Sequence, residues 1–432
     1  MSDSSHRPDT GIVDLDTDAL DEGVRISVLS SGARVVTDTM SDAHSASVSC
    51  WVGAGSRDEP AELAGASHFL EHLLFKGTEH RSARDINRGV DAVGGDFNAY
   101  TVKEATVFYT RVPAVERGFA TDLLTEIITA PRLSADDVEI ERSVILEELA
   151  MAIDSPDDLV FMNLAEQLFP DHPLGWEVLG QEPTLESMSR EAIAGFHAEW
   201  YQPANLVFAA AGRIDHDEFV AAVEARCGKP GGRRPVRIAP DDRLDTLRVV
   251  RRPIEQVHLA LGWRSMRNDD DDRFALAVLN HSLGDGPSSR LYEEIREERG
   301  LAYSVLSAGS SYIDSGSFSV YCATAPEHLA EVRTIISEVI ADVVENGIGD
   351  DELTVAKGYL RGSMLLGLED SGARMSRLGS SMTSRGRVVP VAESLAGIAA
   401  VTHEDVRRVA SRLFDAPMIT SAIGPVDAAD VA

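Results

Sequence analysis

The chain has 432 residues, of which 44% are hydrophobic and 26% are charged, and its formal net charge is −31. This length is too great for one core and predicts two or more domains, and the lack of any apolar run of roughly eighteen residues excludes a membrane-spanning helix. The excess of carboxylates argues against nucleic-acid binding, because phosphate backbones need a basic surface.

Residues 1–23 open the chain with an acidic stretch that lacks the basic start and apolar core of a secretory signal. They predict a flexible tail. Three isolated cysteines predict neither a disulfide framework nor a cysteine zinc site. A cytoplasmic location, with no membrane or nucleic acid among the partners, is the simplest interpretation.

The stretch "GASHFLEHLLFKGT" (65–78) places two histidines and a glutamate inside an apolar run. In a helix, His68 and His72 project from one face and are close enough to share a metal ion. Glu71 lies about 60° round the helix from His68, where it can reach a metal-bound water without binding the metal. The order matches the inverzincin pattern His-x-x-Glu-His. A histidine pair alone is more often surface or core decoration, so a third ligand is needed to favour a metal site.

The next elements, in "VGGDFNAYTVKEATVFYTRV" (93–112), are two strands after a glycine-rich turn. Gly94 and Gly95 loosen the turn, and Asn98 and Ala99 are small enough to let another backbone approach. An extended peptide could then add itself as a strand. From the residues alone, an ordinary hairpin is the simpler interpretation.

A helix predicted over Ala135–Ile153 supplies the candidate third ligand. On a helical wheel, Glu148 falls within an apolar arc and partly overlies Glu141, whereas Glu147 turns toward the polar side. A carboxylate in an apolar arc is costly unless it is paired or bound to metal. We therefore predict that Glu148 is the ligand, that Glu147 faces solvent, and that Glu141 supports a ligating histidine.

The chain then repeats its plan. A shift of 212 positions carries the strand ending at Gly212 onto the one ending at Gly424, and it carries Trp51 onto Trp263. We predict an α+β fold of two homologous domains, each with helices packed on a mostly antiparallel sheet. The boundaries are 1–23 for the tail, 24–227 for the metal-binding domain, 228–244 for a Gly/Pro-rich linker and 245–432 for the second domain.

With these residues in place, the chain resembles the pitrilysin/insulinase family of zinc peptidases, and its short-chain branch of mitochondrial processing peptidase and bacterial relatives in particular. The resemblance rests on "HFLEHLLFKGT" and on "ERSVILEELAM". It implies that His68, His72 and Glu148 bind one Zn²⁺ per chain and that Glu71 is the general base. It also implies a supporting role for Glu141.

The resemblance extends to substrate-contacting residues. It implies that Gly95, Asn98 and Ala99 lie on a substrate-binding edge strand, and that Arg296 and Tyr303 in "SSRLYEEIREERGLAYSV" grip substrate near the scissile bond. Spacing alone left Arg296 equally explained as one member of a charged helical surface. The 212-residue shift places Asn280, Leu283 and Gly284 where the first half has its histidines and glutamate, so no second zinc site is expected.

The predicted function is zinc-dependent endopeptidase activity on unfolded oligopeptides, through a metal-activated water with Glu71 as base. Tyr303 and Arg296 would stabilise the oxyanion, supplied in trans within a homodimer. The alternatives are a catalytically silent assembly subunit and a zinc-dependent peptide-binding module. A requirement for a non-identical partner chain also stays open, as does the identity of the metal, because ligand type only biases that choice.

Overall fold

The computed structural model describes residues 21–431, so most of the predicted N-terminal tail lies outside the described residues. Six strands of the described chain form the first sheet, in the order β1-β2-β6-β3-β5-β4. The pairing is antiparallel except between β2 and β6. These strands are β1 (Val24–Val28), β2 (Arg34–Thr39), β3 (Ser45–Val52), β4 (Asp96–Thr101), β5 (Thr106–Pro113) and β6 (Leu206–Gly212).

The second sheet repeats this order with one strand fewer among the described residues, as β7-β11-β8-β10-β9, and again has one parallel pair, β7 with β11. The predicted shift of 212 residues superimposes β3 on β8 and β6 on β11. The predicted α+β fold of two homologous domains is thereby confirmed. The strands are β7 (Leu247–Arg251), β8 (Val257–Ser265), β9 (Ala302–Ser311), β10 (Gly316–Thr324) and β11 (Ile419–Gly424).

Most helices of the described chain lie in two runs, one between β5 and β6 and one between β10 and β11, and the helix predicted over Ala135–Ile153 is present as α4 (Ala135–Asp154). In the first half they are α1 (Ala66–Leu74), α2 (Ala83–Val93), α3 (Arg117–Thr129), α4 (Ala135–Asp154), α5 (Pro156–Leu168), α6 (Glu182–Ser187), α7 (Arg190–Trp200) and α8 (His216–Cys227). In the second half they are α9 (Arg273–Leu283), α10 (Leu329–Asn346), α11 (Asp350–Gly367), α12 (Ser371–Arg385), α13 (Val391–Ala400), α14 (His403–Phe414) and α15 (Ala428–Val431).

The two halves exchange a helix. Helix α5 leaves the first half and packs on the second sheet, and α12 leaves the second half and packs on the first sheet. Each contact is tight. A Cβ added to Gly262 of β8 would lie 2.7 Å from Leu164 of α5, and one added to Gly379 of α12 would lie 1.9 Å from the Trp51 indole nitrogen of β3. Because one face of each sheet is covered by the other half, the halves bury a joint core.

The predicted linker runs between α8 and β7 without helix or strand, and its Asp241 carbonyl accepts a hydrogen bond of 3.1 Å from Arg264 of the second half. The Arg237 guanidinium contacts the Asp58 carboxylate of the first half at 2.8 Å.

A buried arginine of the first half also joins the two halves. Arg57, which is 5% exposed, contacts Glu104 of the first half and Asp314 of the second half, each at 2.6 Å. A buried cation shared by carboxylates from both halves fixes their relative position.

The N-terminal end of the described chain also bridges the halves. The carboxylate of Asp21 contacts Arg377 of α12 at 2.6 Å and accepts a hydrogen bond from the Val391 amide at 2.6 Å. Residue 21 belongs to the predicted tail and is held in place by two partners. Over residues 21–431, no helix combines the length and hydrophobicity that crossing a bilayer requires.

Candidate metal centre

Helix α1 carries His68, Glu71 and His72, and its apolar side packs into the first core. Phe69, Leu70 and Leu73 are fully buried against the sheet. The two imidazole rings lie on one face with their centroids 4.7 Å apart. The 3.6-residue period therefore brings both rings to one point, as the sequence predicted.

The helix begins at a tightly enclosed turn. Gly65 has φ of 100°, and a Cβ at this position would lie 2.9 Å from the Leu179 carbonyl oxygen. The buried Glu59 carboxylate accepts hydrogen bonds from the Gly65 amide at 2.7 Å and from the Ser67 amide at 2.6 Å. Two of the free amides at the start of the helix are thus satisfied one residue before His68.

Helix α4 brings Glu148 to the two histidines. Its Oε2 lies 3.7 Å from Nε2 of His68 and 3.6 Å from Nε2 of His72. Ligand atoms at a tetrahedral zinc with bonds of about 2.0–2.1 Å are about 3.3–3.4 Å apart, so a shift of a few tenths of an ångström would fit the ion. Among residues 21–431, this trio is the one group of ligating side chains whose atoms all lie within 4.8 Å of one another.

Glu148 lies at the site, but apolar residues do not enclose it, contrary to the prediction from the helical wheel. The Glu148 side chain is 47% exposed, and its neighbour on the expected apolar arc, Val144, is itself 45% exposed. Glu147 is exposed as predicted. Both glutamates are exposed, and they differ in their contacts, because the Glu148 carboxylate approaches the two histidines of α1.

Glu141 lies two helical turns before Glu148 and is 3% exposed. Its Oε2 lies 2.9 Å from Nδ1 of His72, and its Oε1 lies 2.5 Å from the Lys76 ammonium. The carboxylate accepts a hydrogen bond from Nδ1–H of His72. The other ring nitrogen, Nε2, therefore carries the free lone pair and lies toward Glu148. Lys76 compensates the buried negative charge.

His68 is 7% exposed, and burial, followed by the charge of His72, lowers its pKa to about 4. The ring is therefore neutral near pH 7 and can offer a nitrogen to a cation. Its Nδ1 is buried without a hydrogen-bond partner among the described residues.

Glu71 lies beside the trio, and its Oε2 accepts a hydrogen bond of 2.6 Å from the Thr101 hydroxyl. Burial raises the pKa of Glu71, the nearby Glu148 adds to this effect, and the Thr101 hydrogen bond and His72 oppose it. A carboxyl with a raised pKa beside a metal site has the chemistry of a general base that works near neutral pH.

Strand β4 is the last strand of its sheet, and Gly95, Asn98 and Ala99 lie at its start and middle. Gly95 faces inward, where a Cβ would lie 2.9 Å from Val112, and the exposed Asn98 side chain accepts a hydrogen bond from the Ala99 amide. The edge strand β4 ends at Thr101, the residue that donates a hydrogen bond to Glu71.

Arg296 and Tyr303 lie together in the second half, away from the trio in the topology. The Arg296 guanidinium lies 4.5 Å from the Tyr303 ring centroid and 4.7 Å from that of Tyr292, and Tyr303 is 78% exposed. Arg296 belongs to a π-helical turn, Tyr292–Glu297. Within the described part of the chain, neither side chain has a hydrogen bond, ion pair or ring contact with the metal-binding residues.

The corresponding place in the second half has no metal-binding chemistry. Asn280 accepts a hydrogen bond from the Ser307 hydroxyl, and Leu283 is fully buried in the second core.

Three residues that support the site were not singled out from the sequence: Glu59, Lys76 and Thr101. For Thr101 a signal existed, since the period of two along β4 puts it on the same face as Ala99 and Phe97, which pack toward α1. For Glu59 and Lys76 no local sequence pattern indicates which groups they contact, namely the amides at the start of α1 and the Glu141 carboxylate. Each is recognisable only when the loop and helix are folded together.

Comparison with known proteins gives consistent matches over the chain. The family described as "Insulinase (Peptidase family M16)" matches residues 34–182, and the one described as "Peptidase M16 inactive domain" matches residues 187–360. The first match contains the complete trio and Glu71. The second covers most of the half in which the trio is not repeated.

Two relatives and one solved structure illustrate the likeness. A Mycobacterium bovis protein named as an uncharacterized zinc protease is 45% identical over 410 residues, 93% of each chain. One from Bacillus subtilis with the same description is 34% identical over 396 residues, 91% of this chain and 97% of the other. A Pseudomonas fluorescens structure described as a peptidase M16 inactive domain matches with a TM-score of 0.87 at 23% identity, covering 94% of this chain and 98% of that one, which shows the fold.

Proposed function

The chain belongs to the insulinase (M16) family of peptidases, and we propose that it is a zinc-dependent endopeptidase that hydrolyses unfolded oligopeptides. One observation supports this most directly. The ligating atoms of His68, His72 and Glu148 converge within 4.8 Å of one another, with the Glu71 carboxyl beside them. An assembly subunit would have no use for a neutral buried imidazole, an oriented second imidazole and a carboxyl of raised pKa at one point.

His68, His72 and Glu148 would hold the zinc ion, which when bound polarises a carbonyl group and lowers the pKa of water at the site. Glu71 takes a proton from the attacking water and gives it to the departing amine. Thr101 holds one Glu71 oxygen at 2.6 Å, so the other oxygen is free to receive the proton. Burial raises the pKa of Glu71, which helps the carboxyl keep that proton between the two steps.

The open edge of β4 supports an extended peptide as the substrate. A strand that adds to this edge pairs through its backbone and needs no particular sequence. Gly95 and Ala99 carry little or no side chain, the Asn98 side chain would give up the Ala99 amide to an incoming strand, and Thr101 at the end of β4 contacts the proposed base. A peptide bound along β4 would reach Glu71. Folded proteins do not offer such a free strand, so unfolded segments are favoured.

Arg296 and Tyr303 would complete the site from a second copy of the chain. Tyr303 is 78% exposed, and Arg296 is held against its ring, so the pair faces outward as a unit. A phenol donor on the developing oxyanion contributes about 3 kcal/mol. In a homodimer in which the second half of one chain faces the first half of the other, each site would contain one trio and one Arg296–Tyr303 pair.

The primary experiment measures zinc content and cleavage of a quenched peptide by the Glu71→Gln variant. We expect one zinc per chain and a loss of about 10²–10⁴-fold in turnover, the range for loss of a general base. Glu147→Gln, on the exposed side of α4, is the matched control and should cleave at the parental rate. Parental turnover by Glu71→Gln would refute the assigned role.

The dimer hypothesis has its own test. A Glu71→Gln chain and an Arg296→Ala chain, differently tagged and purified as a mixed dimer, together contain one undamaged site if Arg296 acts in trans. We expect recovery toward half of the parental activity. If Arg296 acts within its own chain, both sites keep a defect and the mixed dimer stays inactive.

A catalytically silent subunit is the second candidate, since the match over residues 187–360 is to a domain described as inactive. The same zinc and cleavage measurements separate the two functions. A silent subunit would bind peptide without turnover, and parental and Glu71→Gln chains would behave alike.

A further inference from the structure

A cavity of about 490 Å³ lies where the first half, the linker and α12 meet, and its wall is rich in arginine. Four arginines line it against a single carboxylate, Asp314. They are Arg34 of β2, Arg234 and Arg237 of the linker, and Arg385 at the end of α12. The whole chain has 71 acidic and 40 basic residues, so a cationic cavity runs against its overall charge.

Three of these arginines have no carboxylate partner in residues 21–431. Arg237 is paired with Asp58 at 2.8 Å, and Asp314 is engaged by Arg57 at 2.6 Å. Arg34, Arg234 and Arg385 form no ion pair within that range of the chain, and Arg385 donates only to the Asn268 carbonyl. The cavity therefore holds positive charge that the protein does not neutralise.

Arg34 shows most clearly that this cavity lacks hydrogen-bond acceptors for its guanidinium groups. The residue is 7% exposed, its Nη1 donates to the Met382 carbonyl at 2.6 Å, and its Nε is buried without a partner among the described residues. Burial and the neighbouring charge of Arg234 lower the pKa of Arg34 to about 10. The hydroxyl of Thr383, on the same wall, is also buried without a hydrogen-bond partner in the described chain.

We propose that this cavity binds a small phosphate-bearing molecule whose oxygens accept hydrogen bonds from Arg34, Arg234, Arg385 and the Thr383 hydroxyl. Planar guanidinium groups bind phosphate oxygens in pairs, and an oxyanion with several acceptors suits donors from three directions. The volume is in the range of about 300–1,000 Å³ for small-molecule sites and exceeds what inorganic phosphate fills, which favours a phosphate ester.

The site would connect the halves. Arg34 belongs to the first sheet, Arg234 to the linker and Arg385 to a helix of the second half. A ligand bound by all three stabilises the folded arrangement by mass action. The proposal is independent of the peptidase chemistry, since none of these residues belongs to the metal centre or to β4.

The test is calorimetric titration of the full chain with pyrophosphate and with inorganic phosphate, each at an ionic strength matched with sodium chloride. Arg234→Gln should weaken pyrophosphate binding by about tenfold, as expected for loss of one charge-assisted hydrogen bond. Arg233→Gln is the matched control, because Arg233 is the adjacent residue but pairs with Glu199 and lies over Trp200, outside the cavity. It should leave the dissociation constant within about twofold.

Both substitutions are on exposed linker residues, so neither should impair folding. Arg385→Gln provides a second variant from the opposite wall and should weaken binding in the same way. If pyrophosphate released no more heat than sodium chloride at equal ionic strength, the proposal would be overturned. Equal losses in Arg234→Gln and Arg233→Gln would also overturn it, since they would indicate diffuse attraction of anions to the linker.

Discussion

Glu59 provides a quantitative test of how helix α1 is anchored. The residue is 5% exposed, and its carboxylate is held by the Gly65 and Ser67 amides at the start of α1. Burial raises the pKa of Glu59 from 4.5 to about 7, although the two amide hydrogen bonds and the charge of Lys103 lower it. The structure therefore predicts that this side chain changes charge near neutral pH.

The sign of the effect on stability follows from the direction of this pKa change. The folded chain binds the Glu59 proton more tightly than the unfolded chain, in which the pKa is about 4.3. Its contribution to the free energy of unfolding is thus fully present below about pH 4.3 and is lost as the pH rises through about 7. At about 1.36 kcal/mol per pH unit, the whole loss amounts to about 4 kcal/mol, of which about 3 kcal/mol falls between pH 5 and pH 8.

The assay compares chemical unfolding of the metal-free parental chain and Glu59→Gln from pH 5 to pH 8. Glutamine imitates the protonated carboxyl and does not titrate, and all other titratable groups are the same in both chains. The variant should therefore gain about 3 kcal/mol over the parental chain across this range. The exposed Glu62→Gln control should follow the parental chain. A stability difference that does not change with pH would refute the reasoning.

Two further predictions concern the support of the histidines and the packing of the exchanged helix. Glu141→Gln should weaken zinc binding by about 10–100-fold in competition with a chelator, because a ligand histidine loses its orienting carboxylate, whereas Glu139→Gln on the exposed side of α4 should not. Gly379→Ala should lower the free energy of unfolding by about 1–3 kcal/mol, because its Cβ would lie 1.9 Å from the Trp51 indole nitrogen. Gly358→Ala, whose Cβ meets nothing within 4 Å, should raise the free energy of unfolding by up to about 1 kcal/mol. Urea unfolding measures both variants, and a change of the same sign in the two would contradict the packing of Gly379 against Trp51.

Much of the fold was predictable because it depends on local periods. The strand alternation, the helical spacing of His68 and His72, and the recurrence of Trp51 at Trp263 are all properties of neighbouring residues or of a repeated sequence. They predict the elements and their duplication. The helix exchange is different in kind, since the apolar face of α5 is visible in the sequence but the sheet that covers it is not.

The same limit explains the residues around the metal centre. A helical wheel gives the side on which a residue lies, and it does not give what that side faces. Glu141 and Glu148 lie on nearly the same side of α4, yet one is 3% exposed and the other has a side chain that is 47% exposed. Both carboxylates reach α1, but Glu141 is enclosed between His72 and Lys76, whereas Glu148 approaches the two histidines with about half of its side chain exposed.

This difference in exposure is what a hydrolytic site requires. A trio buried on all sides would bind a metal ion structurally and leave no position for water or substrate. His68 is enclosed, His72 contacts Glu141 through its other ring nitrogen, and the Glu148 side chain is half exposed to solvent. The side from which a peptide can approach is therefore the side of Glu148. Its exposure, which contradicted the burial argument, supports catalysis over a structural role for the metal.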